Sequence, residues 1–315
     1  VPVTLAQASL NAASDIDRNV IDEFRKASWI FDRLPFDDVV NPAGGGATLT
    51  YGYQRLVTQP TAAFRAVNAE YTPQEATKTE VTVSLKPFGG SFQIDRVLNA
   101  IAAARETAFQ IEQKAKAARA LFNDAFINGD SAVDANSFDG LKKALTGSAT
   151  EVAASGTNWQ GSVDEAKGFA IMDEIDAALG LLDGPPDAII ANKAVLAKIR
   201  AAARRAGYFT RSEDAFGRTI DSYGGIVLLD PGTKPGTNTD VIPITAVTGL
   251  TDLYMVRFGM DGVHGVSLAG QPPVRQWLPD FTTAGAVKTG EVEMVAAVAV
   301  KATKAAALVH LDTLP

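Results

Sequence analysis

The stretch Val97-Leu98-Asn99-Ala100-Ile101-Ala102-Ala103-Ala104, continuing to Phe126-Ile127-Asn128-Gly129-Asp130 and then through a short loop to Ser137-Phe138-Asp139-Gly140-Leu141, decides how the rest of the chain is read. Val97, Ile101, Ala104, Ala108, Ile111, Ala115, Ala118 and Phe122 recur at a four-three spacing, which places them on one face of a helix over 97–127. At 1.5 Å per residue such a helix is roughly 45 Å long. Glu112 and Lys116 add an i,i+4 pair in the favoured orientation. The apolar stripe is narrow and rich in Ala, so a sheet or a second helix can approach closely. A coiled coil is the alternative; against it, the heptads stop at Gly129 and Ala fills many of their positions.

Upstream of the helix, residues 47–58 alternate Leu49, Tyr51, Tyr53 and Val57 with Thr48, Thr50, Gln54 and Thr58, the period of a strand. Residues 79–86 supply its partner, with Val81, Val83 and Leu85 on one face and Glu80, Thr82, Ser84 and Lys86 on the other. About 20 residues, Gln59 to Lys78, connect the two, and connections of that length tend to be functional. A two-stranded arm of modest apolar content is not stable alone, and a neighbouring subunit is the economical support for it. Residues 1–40 mix short helical patches with charge, and Asn41-Pro42-Ala43-Gly44-Gly45-Gly46 reads as a hinge. Asp15-Ile16-Asp17-Arg18-Asn19-Val20 resembles the start of a calcium loop only superficially. Its sixth position is Val20 where Gly is required, and its twelfth is Lys26 where Glu is required.

Downstream, a helix is expected near 163–182, a buried strand at Asp187-Ala188-Ile189-Ile190-Ala191, and a helix from Lys193 to about Ala206 capped by Asn192. Strand-like runs follow at 225–229, 241–247, 253–258, 263–268, 291–300 and 305–311. The alternation gives an α+β chain.

The chain is 46% hydrophobic and 21% charged, ordinary for a folded domain, and it has no Cys, which removes disulfides, thiolate metal sites and Cys nucleophiles. A net charge of −7 argues against a sequence-reading nucleic-acid binder, because neutralising phosphates dominates such affinity. No apolar run approaches the roughly 18 residues that span a bilayer. The two histidines, His264 and His310, lack metal-ligand spacing and read as hydrogen-bonded structural residues. No His-Glu-x-x-His, Gly-x-Ser-x-Gly or phosphate-loop motif is present. Asp230-Pro231-Gly232-Thr233-Lys234-Pro235-Gly236-Thr237 reads as a mobile surface loop, and the basic run Lys198, Arg200, Arg204, Arg205, Arg211 as a solvated face or a set of salt bridges.

Taken in order, these pieces resemble the Hong Kong 97 fold of tailed-bacteriophage major capsid proteins. The resemblance covers about residues 20–312. It rests on the arm, the extended loop and the long helix ending in Asn128-Gly129-Asp130-Ser131, followed by Phe138-Asp139-Gly140-Leu141. It continues through Ala188-Ile189-Ile190-Ala191-Asn192-Lys193, Gly207-Tyr208-Phe209 and Tyr223-Gly224-Gly225-Ile226-Val227-Leu228. Ser131 stands where the family commonly has a second Gly, and the Pro of the family's later strand is absent.

The resemblance implies an N-terminal arm over 1–46 and an extended β-hairpin loop over 47–88. It further implies a peripheral domain over 89–149 and 281–315 that holds the spine helix, and an axial domain over 150–280. It implies a structural protein with no catalytic residue, cofactor or metal, which assembles with itself as pentamers and hexamers into an icosahedral shell enclosing double-stranded DNA without sequence-specific binding. The expected partners are scaffolding and portal proteins, with a decoration protein as an option and no membrane; a separate scaffolding protein or a removed precursor segment is implied. The expected location is the virion, assembled in the bacterial cytoplasm. Arg55, Arg65, Glu70, Glu75 and Lys78 of the extended loop are the expected intersubunit contacts. An encapsulin-type compartment that packages a cargo enzyme is the alternative of the same fold, and a soluble α+β enzyme with an unrecognised site is the third reading.

Overall fold

Apolar side chains collect in two cores on opposite faces of one β-sheet. The structure, a computed structural model, describes residues 29–41, 48–154, 157, 159, 161–207, 209–213, 219–245, 249–270 and 274–312; the calcium-like stretch and the Gly44-Gly45-Gly46 hinge lie outside them. In chain order the first elements are α1 (Trp29–Arg33), β1 (Phe36–Val40), β2 (Thr50–Thr58), β3 (Thr77–Ser84), β4 (Lys86–Asp95), the long α2 (Arg96–Asn128), α3 (Leu141–Leu145) and β5 (Glu151–Val152). Next are α4 (Glu165–Leu179), β6 (Ala188–Ala191), α5 (Lys193–Arg205), β7 (Phe209–Glu213), β8 (Thr219–Tyr223) and β9 (Ile226–Leu229). Last are β10 (Leu250–Val256), β11 (Val263–Leu268), β12 (Val274–Trp277), β13 (Val287–Val300) and β14 (Ala306–Asp312).

The first sheet is built on β13. β4 runs antiparallel along one of its edges, from Val287↔Asp95 to Ala296↔Lys86. β12 and β11 follow one another on the opposite edge, and β1 adds to β11 in parallel. Gly89 is required here: a Cβ would lie 2.0 Å from the Val292 carbonyl oxygen. The helix α2 starts directly from β4, with the Asp95 carboxylate accepting from the Val97 N–H as an N-cap.

Among the described residues of the expected stripe on α2, burial by its own chain grows towards the C-terminal end. Ala118 and Phe122 are buried, Ile111 and Ala115 are half-buried, and Val97 is 60% exposed. Phe122 is the hub. Its ring lies 5.5 Å from Phe31, 6.0 Å from Phe36, 6.1 Å from Phe88 and 5.7 Å from Phe138, centroid to centroid. One side chain thus ties α1, β1, β4 and the segment after α2 into the first core.

The turn after α2 is a backbone crossing. The Gly140 N–H donates to the Gly129 carbonyl at 2.8 Å, and the Gly129 N–H to that of Ala125 at 2.9 Å. A Cβ on Gly129 would meet the Phe138 oxygen at 2.3 Å, and one on Gly140 the Ala125 oxygen at 2.4 Å. Carboxylates close the loop between the two glycines. Asp139 accepts from the Ser131 N–H at 2.8 Å, and Asp130 accepts from the Ala132 N–H at 2.9 Å and pairs with Lys143 at 3.0 Å. These contacts, the bond from Ala132 first, hold the Asp130 carboxyl below its usual pKa.

The second sheet has the order β5-β14-β10-β6-β9-β8-β7. On one face α4 and α5 cover it with Ile171, Ile175 and Ile199 against Met255 and Val309; on the other, Ile190, Tyr254 and Leu308 join the first core. Burial on both faces explains why β6, Ala-Ile-Ile-Ala, is wholly apolar. Asn192 caps α5 through its side-chain oxygen, and its amide donates to the Ile242 carbonyl at 2.7 Å.

Two expectations change. The run 241–247 has no strand ladder over its described residues. Val241 and Ile242 are buried, but their carbonyls accept from the side-chain amides of Asn128 and Asn192. The loop beginning at Asp230 is anchored at its base: Pro231, Gly232 and Thr233 are buried, and Thr233 bridges Asp240. Strand pairing puts β14 in the second sheet and β11 and β12 in the first, and the 3-10 turn Thr303–Ala305 carries the chain from one sheet to the other.

Candidate intersubunit arm

β2 and β3 form a hairpin paired from Thr50↔Ser84 to Leu56↔Lys78, with a bulge before Thr58↔Thr77. They belong to neither sheet of the body. Alternation along β2 sends Tyr51, Tyr53 and Arg55 to the same side, and all three grip the body at the end of β13. The Tyr53 hydroxyl donates to the Val300 carbonyl at 2.7 Å. The Arg55 guanidinium donates to the Lys301 carbonyl at 3.0 Å and to that of Val300 at 2.5 Å, with its charge 5.8 Å from the Tyr53 ring centroid. Burial raises the Tyr53 phenol pKa against the lowering influence of Arg55, so this hydroxyl remains a donor.

Tyr51 is buried, donates to Asp37 at 3.2 Å and lies under the Lys301 ammonium at 5.5 Å. Its ring stands edge-on to His264 at 5.8 Å. His264 was expected to be hydrogen-bonded; it is buried, and its ring nitrogens have no bond of normal geometry. Burial, and then the Lys301 charge, lower its pKa and keep it neutral.

Beyond this base the arm stands free. Every residue from Leu56 to Glu80 is exposed. Thr61 is held to the Gln74 side chain through its N–H and hydroxyl, both at 2.7 Å. At the tip Asn68 adopts φ +69°, and Arg65 curls over the Tyr71 ring at 5.3 Å while donating to the Ala66 and Ala69 carbonyls. Phe64 is fully exposed, Val67 is 89% exposed and Tyr71 62%.

Four of the five expected contact residues, Arg65, Glu70, Glu75 and Lys78, therefore lie on the exposed arm, while Arg55 is engaged with its own chain at the base. The alternation of β2 carries the signal for this, since Arg55 shares its parity with Tyr51 and Tyr53. The exposed aromatics at the tip were not singled out from sequence. Among the described residues, no group of three or more His, Asp or Glu side chains is placed to hold a metal, and no helix is long and apolar enough to cross a membrane.

At the level of sequence, no family model and no curated protein matches the chain. Solved structures do. A structure from Mycobacterium phage Adephagia superposes with a TM-score of 0.63 at 14% identity, covering 99% of this chain and 98% of that one. The capsid of a native GTA particle does so at 0.60 and 15%, covering 95% and 94%. The chain has the Hong Kong 97 fold. The holo-SrpI encapsulin complex from Synechococcus elongatus PCC 7942 shares it at a TM-score of 0.58 and 14% identity, over 99% of this chain and 97% of that one.

Proposed function

We propose that this Hong Kong 97-fold chain is the major capsid protein of a tailed bacteriophage, self-assembling as pentamers and hexamers into the icosahedral shell around double-stranded DNA. Its role is structural, and its place is the virion. One observation carries this reading: a body with two well-filled cores projects an arm that is exposed from Leu56 to Glu80 and tipped by Phe64, Val67 and Tyr71. Burying side chains of this size stabilises by roughly 1.5–3 kcal/mol each, a gain that the described residues of its own chain do not supply and a neighbouring molecule can. A second copy is that molecule, with Arg65, Glu70, Glu75 and Lys78 giving the contact its charge register and Arg55 fixing the arm to its own subunit. A closed lattice repeats this contact many times, so individually modest interfaces add up to a stable container.

The division into a peripheral unit around α2 and an axial unit around α4 and α5 accompanies this reading, with β14 counted in the latter. Scaffolding and portal proteins are the expected assembly partners. The encapsulin reading stays as the second one, because the SrpI structure matches over the same length.

The test is electron microscopy of purified assemblies, with their nucleic-acid content measured on the same sample. Closed shells that contain or accept DNA support the capsid role, and shells filled with a protein cargo favour the compartment. Small oligomers alone, even with candidate scaffolding protein supplied, would refute both. Replacing residues 59–76 with a short turn should leave the fold intact and abolish closed shells.

A further inference from the structure

His310 lies on β14 with a carboxylate on each ring nitrogen. Nδ1 is 2.7 Å from Asp252 Oδ1 on β10, and Nε2 is 3.0 Å from Glu151 Oε1 on β5. A neutral imidazole has one N–H and cannot donate to both; two carboxylate partners require the imidazolium. The other carboxylate oxygens are also engaged. Lys142 of α3 pairs with Asp252 Oδ2 at 2.8 Å, and the Gly147 N–H donates to Glu151 Oε2 at 2.6 Å. Tyr254 approaches Asp252 at 3.4 Å. The cluster therefore balances two carboxylates with Lys142 and a protonated His310; a neutral His310 leaves one negative charge uncompensated.

The surroundings offer little replacement. The cleft of about 350 Å³ beside His310 also holds Lys234, but that ammonium lies 3.8 Å from Asp124 of α2. Lys143, next to Lys142, is paired with Asp130. The helices α4 and α5 pack on the opposite face of the sheet, against Val309 and Leu311.

The geometry points to a proton-operated clasp: protonated His310 pins the edge strand β5, and the 146–152 segment that carries it, to the second sheet, and loss of that proton releases them. What else holds β5 is slight. It pairs with β14 over two residues only, Leu308↔Glu151 and Val309↔Val152; the Leu308 N–H donates to the Thr150 carbonyl at 3.0 Å, the Thr150 hydroxyl to the Thr303 carbonyl at 3.4 Å, and Val152 packs at the margin of the second core.

Partial burial opposes the charged ring, but the bonds to Glu151 and Asp252 outweigh it and set the His310 pKa above the ordinary imidazole value. A raised folded pKa gives a contribution that is complete below the unfolded value of about 6.5. That contribution is lost as pH rises through the folded value. The same bond from His310 is the strongest influence that keeps the Glu151 carboxyl low, so the carboxylate stays charged throughout this range.

The test is hydrogen exchange of the full chain, read on a peptide covering 146–152, between about pH 5.5 and 8.5 with intrinsic rates corrected for pH. Protection should fall several-fold as pH rises in the wild type and stay flat in His310→Gln. Glu151→Gln should move the transition to lower pH. NMR of ring-labelled protein supplies a readout independent of the variants: the sequence has only two histidines, and buried His264 is the internal control. Wild-type protection independent of pH, or a His310 ring titrating at or below the ordinary value, would overturn the clasp.

Discussion

Gly140→Ala is the sharpest test of the crossing after the long helix. The backbone of Gly140, at φ −93° and ψ −176°, is one that Ala adopts freely, so no conformational penalty is expected. The penalty comes from space. A Cβ would lie 2.4 Å from the Ala125 oxygen, 2.9 Å from the Gly129 nitrogen and 2.9 Å from the Phe126 oxygen. All three are backbone atoms of the last turn of α2 and its cap, so none can swing aside as a flexible side chain would. Overpacking of this kind costs about 1–3 kcal/mol. Forcing the strands of chain apart also weakens the Gly140-to-Gly129 hydrogen bond, worth about 0.5–1.5 kcal/mol. The expected loss is about 2–4 kcal/mol, against a total stability of order 5–15 kcal/mol. Denaturant unfolding of unassembled subunits measures it, with Gly147→Ala as control. Gly147 has φ +78° and open space around its Cβ position, so Ala there pays only the left-handed penalty of about 1–2 kcal/mol. Should Gly140→Ala cost no more than Gly147→Ala, the steric account of the motif is wrong.

Reversing charges on the arm with Arg65→Glu and Glu70→Lys together should leave the circular dichroism and melting of free subunits unchanged while lowering the yield of closed particles; normal particle yield would remove these residues from the contact. Arg55→Ala should free the Lys301 carbonyl and leave that of Val300 to Tyr53 alone, and hydrogen exchange around 300–301 should rise with it. Tyr53→Phe leaves Arg55 on the Val300 carbonyl, so its cost should sit near the low end of the 0.5–1.5 kcal/mol typical of one bond, measured by denaturant unfolding. Phe122→Ala removes the hub of the aromatic cluster and should destabilise by about 3–5 kcal/mol, visible as a large fall in Tm.

What the sequence makes legible is what periodicity encodes. The helix expected over 97–127 is Arg96–Asn128, and the hairpin strands fall where alternation puts them. Pairing between distant segments leaves no such trace. β4 hides because Gly89 and Gly90 weaken its strand signal, although Gly89 is needed for the close approach to Val292. Its partner β13 lies about two hundred residues away. Val241 and Ile242 mislead in the opposite way: they have the residue types of a strand, but two Asn side chains take the carbonyls a ladder would use. The His310 cluster joins residues 151, 252 and 310, which only the fold brings together.

The arm shows most clearly where a single-chain reading stops. Its base obeys intramolecular rules: alternate residues face the body, their polar ends find carbonyls, and Tyr51 is buried. Past Leu56 the ladder bulges and ends at Thr58, and every residue from there to Glu80 is exposed. A sequence specifies which side chains point together; it does not say whether a surface waits opposite them. For an isolated hairpin that surface is missing and the ordering entropy is unrecovered. If the arm is ordered by a neighbouring copy, its stability depends on subunit concentration, whereas the two cores of the body do not. Free subunits should therefore show fast hydrogen exchange over 56–80 beside a protected α2, and assembly should slow exchange on the arm far more than on the body. Equal slowing everywhere would mean that the arm is not where neighbouring subunits meet.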